Sequence, residues 1–204
     1  NKVAKIGVIA PLSGDLAALG KGIQNSVDLA IKQANESKAI PGWTLEISAQ
    51  DDEAKPDVGK NAATKLASDK DVVGVVGTLN SSVAQSVQPV LAAADITQVS
   101  PANTNPSLTQ GADFATAPKR TYATYFRTCT TDSIQGPFAA QYLFNTAGIK
   151  EVATVHDKKT YGQMMDKLRA EVAARAEATQ QAREALTAAL ADVEAASADR
   201  AAAS

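Results

Sequence analysis

The chain has 204 residues, 45% of them hydrophobic, which is enough for one well-formed core or two small ones and rules out a wholly disordered protein. Twenty Lys and Arg stand against 22 Asp and Glu, for a formal net charge of −2, with no basic stripe interleaved with aromatics, so nucleic acid is not indicated as a partner. One Cys and one His exclude an internal disulfide and a Cys/His zinc cluster, and no apolar run approaches the roughly 20 residues that span a bilayer as a helix.

Lys5 to Ala10 reads as a short apolar strand, followed by a Pro, Gly and Ser loop and a helix with Ile23, Val27, Ala30 and Ile31 on one face. Trp43 to Ala49 is the next strand. It ends in Asp51-Asp52-Glu53, read as a solvated turn, and Pro56 opens a helix carrying Val58, Ala62, Ala63 and Leu66. Asp71 to Gly77 is the third strand, Ser82 to Ala94 the third helix with Ser82 and Gln85 as a capping box, and Ile96 to Ser100 the fourth strand. Strands alternating with helices predict an α/β fold with a doubly wound parallel sheet.

Asn105 to Arg120 is loop, and Tyr122 to Cys129 reads as a strand beyond a domain crossing. Ser133 to Ala147 is an amphipathic helix, and Val152 to His156 a strand ending in the loop up to Gly162. The expected organisation is an α/β ligand-binding lobe over 1–120, the incomplete beginning of a second α/β lobe over 121–162, and a helical tail over 163–204. The tail lacks Gly and Pro, and roughly two in five of its residues are Ala. A weak seven-residue pattern runs through Met165, Val172, Thr179, Leu186 and Val193, with Leu168, Arg175, Ala182, Ala189 and Ala196 three residues later. It reads either as a solvated single helix or as a coiled-coil segment through which the chain self-associates.

Ligands of open α/β sheets bind beyond the carboxyl ends of the strands, where Thr78-Leu79-Asn80-Ser81-Ser82 and Ser100-Pro101-Ala102-Asn103-Thr104 both fall. Hydroxyls and the N–H groups of a helix start make these clusters half of a small-molecule site, one that suits a carboxylate. The alternatives are that Ser81 and Ser82 only cap a helix and that Asn103-Thr104 is ordinary turn chemistry. Lone His156 has no Ser or Cys nucleophile at a useful spacing, Cys129 reads as a small buried hydrophobe, and no phosphate loop, nucleophile elbow or zinc helix occurs. Neither an enzyme nor a cofactor is expected. Asn1 in place of an initiator Met fits a mature chain from which an export signal has been removed.

In the blocks GVIAPLSGDLAALGKG, QDDEAKP, VVGTLNSS, VSPANTNPSLT, YFRTCTTDSIQGPFAAQYL and VHDKKTYG, the chain resembles the leucine/isoleucine/valine-binding proteins of bacterial ABC importers, members of the type I periplasmic binding fold. The resemblance runs from Lys5 to about Gly162. It implies a soluble periplasmic or extracellular protein, with a lipoprotein anchor as one variant, whose partners are a small amino acid (leucine, isoleucine or valine) and a membrane permease. It implies that Leu79, Asn80 and Ser81 hold the ligand carboxylate, that the Ala102 carbonyl and Thr104, beside Asn103, grip ammonium and carboxylate, and that Tyr161 closes over the ligand. Leu19 stands where some relatives carry a cleft tyrosine, and Ala54 and Asn80 where some carry disulfide cysteines. The acidic residue and further side-chain walls that such proteins place beyond the matching region are absent, which implies weak or undetectable binding by these 204 residues. Two other readings stay open: the sensor domain of a signalling receptor with the tail as output element, and a recombined fragment that binds no ligand.

Overall fold

The computed structural model describes residues 2–202, without the side chains of 164–169, 171 and 192–202. By compactness the chain divides into two units, Asn1–Ile134 with Asp157–Met164, and Gln135–His156 with Met165–Ser204.

In the first unit five strands, β1 (Lys2–Ala10), β2 (Trp43–Asp51), β3 (Val72–Gly77), β4 (Thr97–Ser100) and β5 (Tyr125–Arg127), form one parallel sheet in the order β2-β1-β3-β4-β5. The crossovers between parallel strands are supplied by α1 (Ala17–Glu36), α2 (Pro56–Ser68) and α3 (Ser81–Ala93), and a short helix, α4 (Ser107–Gln110), follows β4. Alternation along β1 sends its side chains to two faces. Ile9 joins Val75 and the α2 and α3 residues Ala62, Ala63, Leu66, Val83, Val87 and Leu91 in the main core. Ile6 faces the other way, into an apolar groove of about 660 Å³ shared with Val76, Leu45 and the α1 residues Ile23, Val27 and Ile31. The doubly wound arrangement expected from the strand and helix alternation is therefore present.

Close approach is tightest at two glycines. A Cβ on Gly20 in the first turns of α1 would collide with the Pro11 carbonyl, and one on Gly77 at the end of β3 with the Ile9 carbonyl. Gly77 also sits at φ +137°, a region essentially closed to residues with a Cβ.

The structure corrects several readings of the sequence. The capping box at Ser82 and Gln85 does not form, because α3 starts one residue earlier, with Asn80 at the cap position and no side-chain cap bond. The strand expected over Tyr122–Cys129 narrows to β5 and hydrogen-bonds β4 in the same sheet. The helix expected to reach Ala147 becomes α5 (Asp132–Gln141), whose first three residues belong to the first unit, followed by a wider π turn, Tyr142–Thr146. Pro137 lies inside α5, where its missing N–H interrupts the ladder. Val152–His156 is not a strand: an extended apolar run becomes one only with a neighbour to pair with, and no strand lies beside it among the described residues.

The tail belongs to α6 (Thr160–Ala202). Val172 is wholly buried, and Ala173 shares a cavity of about 380 Å³ with Lys150, Glu151 and Val152, whereas Leu186 and Leu190 are exposed. Met165, Leu168, Val193 and Ala196 of the seven-residue pattern lie outside the residues whose side chains are described.

The acidic run after β2 is not a solvated turn. Asp51 accepts the Leu12 N–H at 2.8 Å, the Glu53 N–H at 2.9 Å and the Ser13 hydroxyl. Burial works to raise its carboxyl, but these donors outweigh it and hold the group below the usual carboxylate range. Asp52 is 0% exposed; its Oδ1 accepts the Ala54 N–H at 2.8 Å and its Oδ2 has no partner. Burial pushes its carboxyl up to about 6, against the Ala54 N–H, with Asp51 adding to the rise and Lys159 opposing it. The folded state thus keeps this proton to a higher pH than an unfolded Asp. The stability it contributes is full below pH ~4 and is lost as pH rises through about 6, by at most about 3 kcal/mol. Urea denaturation of the parent and of Asp52→Asn, which cannot titrate, is expected to show the variant gaining on the parent from pH 4 to pH 7.5. A difference that stays flat with pH contradicts this account.

Candidate functional site

The carboxyl ends of β3 and β4 lead into two turns that the sequence keeps over 20 residues apart and the fold brings side by side. Ser100 organises the second turn: its Oγ donates to the Thr78 carbonyl at 3.0 Å and accepts the N–H groups of Ala102 and Asn103 at 3.2 and 2.9 Å. The Thr78 hydroxyl donates to the Asn80 carbonyl at 2.9 Å and shapes the first turn. Ser81 Oγ accepts the Asn105 N–H at 3.4 Å, a further link between them.

Around these turns lies a cavity of about 340 Å³ lined by Leu16 and Leu19 from the start of α1, Leu79, Asn80 and Ser81 at the start of α3, Ala102 and Thr104, and Asp157 and Tyr161 at the start of α6. All of these residues belong to the first unit. The helical ladder of α3 opens with the Val83 and Ala84 N–H groups on the Asn80 carbonyl, so the amides of Ser81 and Ser82 precede it. A helix start of this kind, beside the buried Ser81 hydroxyl, favours an anionic group such as a carboxylate. Asn80 Oδ1 and Thr104 Oγ1 are buried without a partner. Leu16, Leu19 and Leu79 supply an apolar wall, and Leu19 and Tyr161 stay largely exposed at the rim.

Six of the seven residues singled out from the sequence (Leu79, Asn80, Ser81, Ala102, Thr104 and Tyr161) therefore meet at one cavity. Asn103 does not line it. Its side chain is wholly buried and braces the turns from behind: Nδ2 donates to the Leu79 carbonyl at 3.0 Å, and Oδ1 accepts the Tyr125 hydroxyl at 3.0 Å. Tyr125 is itself buried, and its own burial pushes its phenol up to about 12.

Sequence reasoning missed the residues that hold the second turn. Arg127 donates from its two terminal nitrogens to the Asn103 carbonyl at 2.7 Å, to the Asn105 carbonyl at 2.9 Å and to Thr109 Oγ1 at 2.7 Å. The Asp132 N–H donates to the carbonyl between them, that of Thr104, at 2.8 Å. Cys129 is half-buried with its thiol on the Asn103 carbonyl, and burial raises its pKa. These residues sit in FRTCTTD, a segment whose spacing carries no signal of its contacts with a turn over 20 residues earlier. His156 is exposed and lies outside the unit that holds the cavity.

The parallel doubly wound sheet thus carries a cavity at the carboxyl ends of its central strands, the place where ligands of open α/β sheets bind. A family model described as periplasmic binding protein matches residues 3–204, and the chain belongs to that family. The match includes the Ala-rich tail, which the resemblance read from the sequence leaves out. Among curated relatives, a Leu/Ile/Val-binding protein homolog of Brucella melitensis is 36% identical over 158 residues, 78% of this chain and 40% of its own length. The Leu/Ile/Val-binding protein BraC3 of Rhizobium johnstonii is likewise 36% identical over the same shares. The chain thus spans about 40% of the length of the curated relatives it matches. Among solved structures, the branched-chain amino acid transporter substrate-binding protein LivJ of Streptococcus pneumoniae, in complex with isoleucine, superposes with a TM-score of 0.73 at 26% identity. That superposition covers 84% of this chain and 47% of LivJ.

Proposed function

We propose that this chain captures a branched-chain or small neutral L-amino acid as the solute-binding component of an ABC importer, in the periplasm, and hands it to a membrane permease. The observation that carries the reading is the meeting of Leu79, Asn80, Ser81, Ala102, Thr104 and Tyr161 around one cavity of about 340 Å³. In support, its curated relatives carry the name Leu/Ile/Val-binding protein, and LivJ, a branched-chain amino acid transporter substrate-binding protein, is in complex with isoleucine. In this reading the ligand carboxylate sits on the Ser81 hydroxyl and the helix start, and the ammonium on the Ala102 carbonyl and Thr104. The apolar side chain lies against Leu16, Leu19 and Leu79. No covalent step is involved: selection rests on pairing both charges of the zwitterion in one small space.

The exposed rim leaves the ligand's charges in part hydrated, so affinity is expected to be weak, and the test must read millimolar binding. Titration of the ¹⁵N-labelled chain with leucine, isoleucine, valine and alanine is expected to shift the amides of Ser81, Ser82 and Thr104. Ser81→Ala, which removes a hydrogen bond to a charged group, is expected to weaken binding about 10-fold or more. Amides that stay in place with all four ligands, in a chain shown folded by circular dichroism, overturn the reading.

A further inference from the structure

Asp132 is 4% exposed, and neither of its carboxyl oxygens has a hydrogen-bond partner; Thr104 is 9% exposed, and its Oγ1 is likewise buried and unpartnered. The two residues are held together by the bond from the Asp132 N–H to the Thr104 carbonyl. The Thr104 hydroxyl is also the side chain whose approach most favours the ionised Asp132, against the burial that raises its carboxyl. The Arg127 charge also favours the ionised carboxyl, but its terminal nitrogens are committed to Asn103, Asn105 and Thr109. A buried carboxylate thus stands behind the Thr104 wall of the cavity without a direct salt bridge.

A hydroxyl has one proton to give and two lone pairs to offer, whereas a carboxylate can only accept. We propose that Asp132 is a positioning residue: its carboxylate accepts a hydrogen bond from the Thr104 hydroxyl, which turns the oxygen lone pairs toward the cavity and makes this wall select a ligand ammonium. A ligand that offers only another acceptor there meets lone pairs and a negative potential and is rejected. The inference deepens the amino-acid reading and rests on it.

The test compares leucine with its oxo acid, 4-methyl-2-oxopentanoate, which keeps the carboxylate and side chain and lacks the ammonium. By NMR titration the parent is expected to prefer leucine, and Asp132→Asn to lower that preference about 10-fold or more, chiefly through loss of leucine affinity. Equal weakening of both ligands marks Asp132 as merely structural and overturns the inference while the amino-acid reading stands. If the parent binds neither ligand, both fall. A second measurement needs no ligand: in a ¹³C NMR titration of the Asp132 carboxyl, Thr104→Val is expected to move its pKa further up, because the donor is gone. An unchanged titration shows that the hydroxyl does not point at Asp132 and overturns the inference.

Discussion

Asn103→Ala is expected to lower the stability of the first unit by about 4 kcal/mol and to loosen both walls of the cavity. The side chain is wholly buried, and its removal strands the Leu79 carbonyl and the Tyr125 hydroxyl, each bonded to it at 3.0 Å. It also removes the longer contacts with the Thr78 hydroxyl, at 3.3 and 3.4 Å. Each stranded buried group costs about 1–3 kcal/mol, and the void adds to this. Urea denaturation reads the stability, and amide exchange at Thr78 to Ser81 reads the loosening, since that turn loses its tie to β5 through Tyr125. A variant within about 1 kcal/mol of the parent and with unchanged exchange contradicts the brace.

Gly77→Ala is expected to cost about 3–5 kcal/mol and to leave the chain poorly folded at 37 °C. Two effects add at this position: a φ of +137°, which a Cβ makes unfavourable, and a collision between that Cβ and the Ile9 carbonyl on β1. Backbone on both sides prevents relief, because Ile9 and Gly77 are paired in the sheet register. Gly74→Ala is the control: its Cβ would meet only the Thr97 carbonyl at 3.7 Å, an ordinary contact, so stability is expected to change by less than about 1 kcal/mol. Thermal denaturation of the two variants side by side decides the matter, and similar losses from both contradict the strain argument. Since Gly77 leads directly into Thr78, loss of this geometry also displaces the turn that carries Leu79 to Ser81.

Much of the fold is legible in the chain because its signals are local. The apolar runs of β1 and β3, the Pro at the start of α2 and the apolar spacing of α1 and α2 are set by neighbours a few residues away. Two polar clusters following two strands likewise mark the cavity, since parallel strands bring their carboxyl ends to one edge. Where local pattern and context conflict, context prevails. Val152–His156 has the composition of a strand and no strand to pair with, and Pro137 disturbs a helix whose apolar spacing suggests continuity.

By itself the sequence determined the parallel doubly wound sheet, the place of the two polar turns and six of the residues that line the cavity around them, because each depends on periodicity or on a short run. Only the tertiary structure decided what each polar residue does. Asn103 reads like its neighbours in the turn, but packing turns it inward to brace, and Asp52 reads like a solvated carboxylate but is sealed from water. Arg127 and Asp132, over 20 residues from Thr104, hold its carbonyl and its neighbours' in place. The physical reason is that burial and hydrogen-bond partners are set by which segments the fold brings into contact, and sequence separation does not encode that distance.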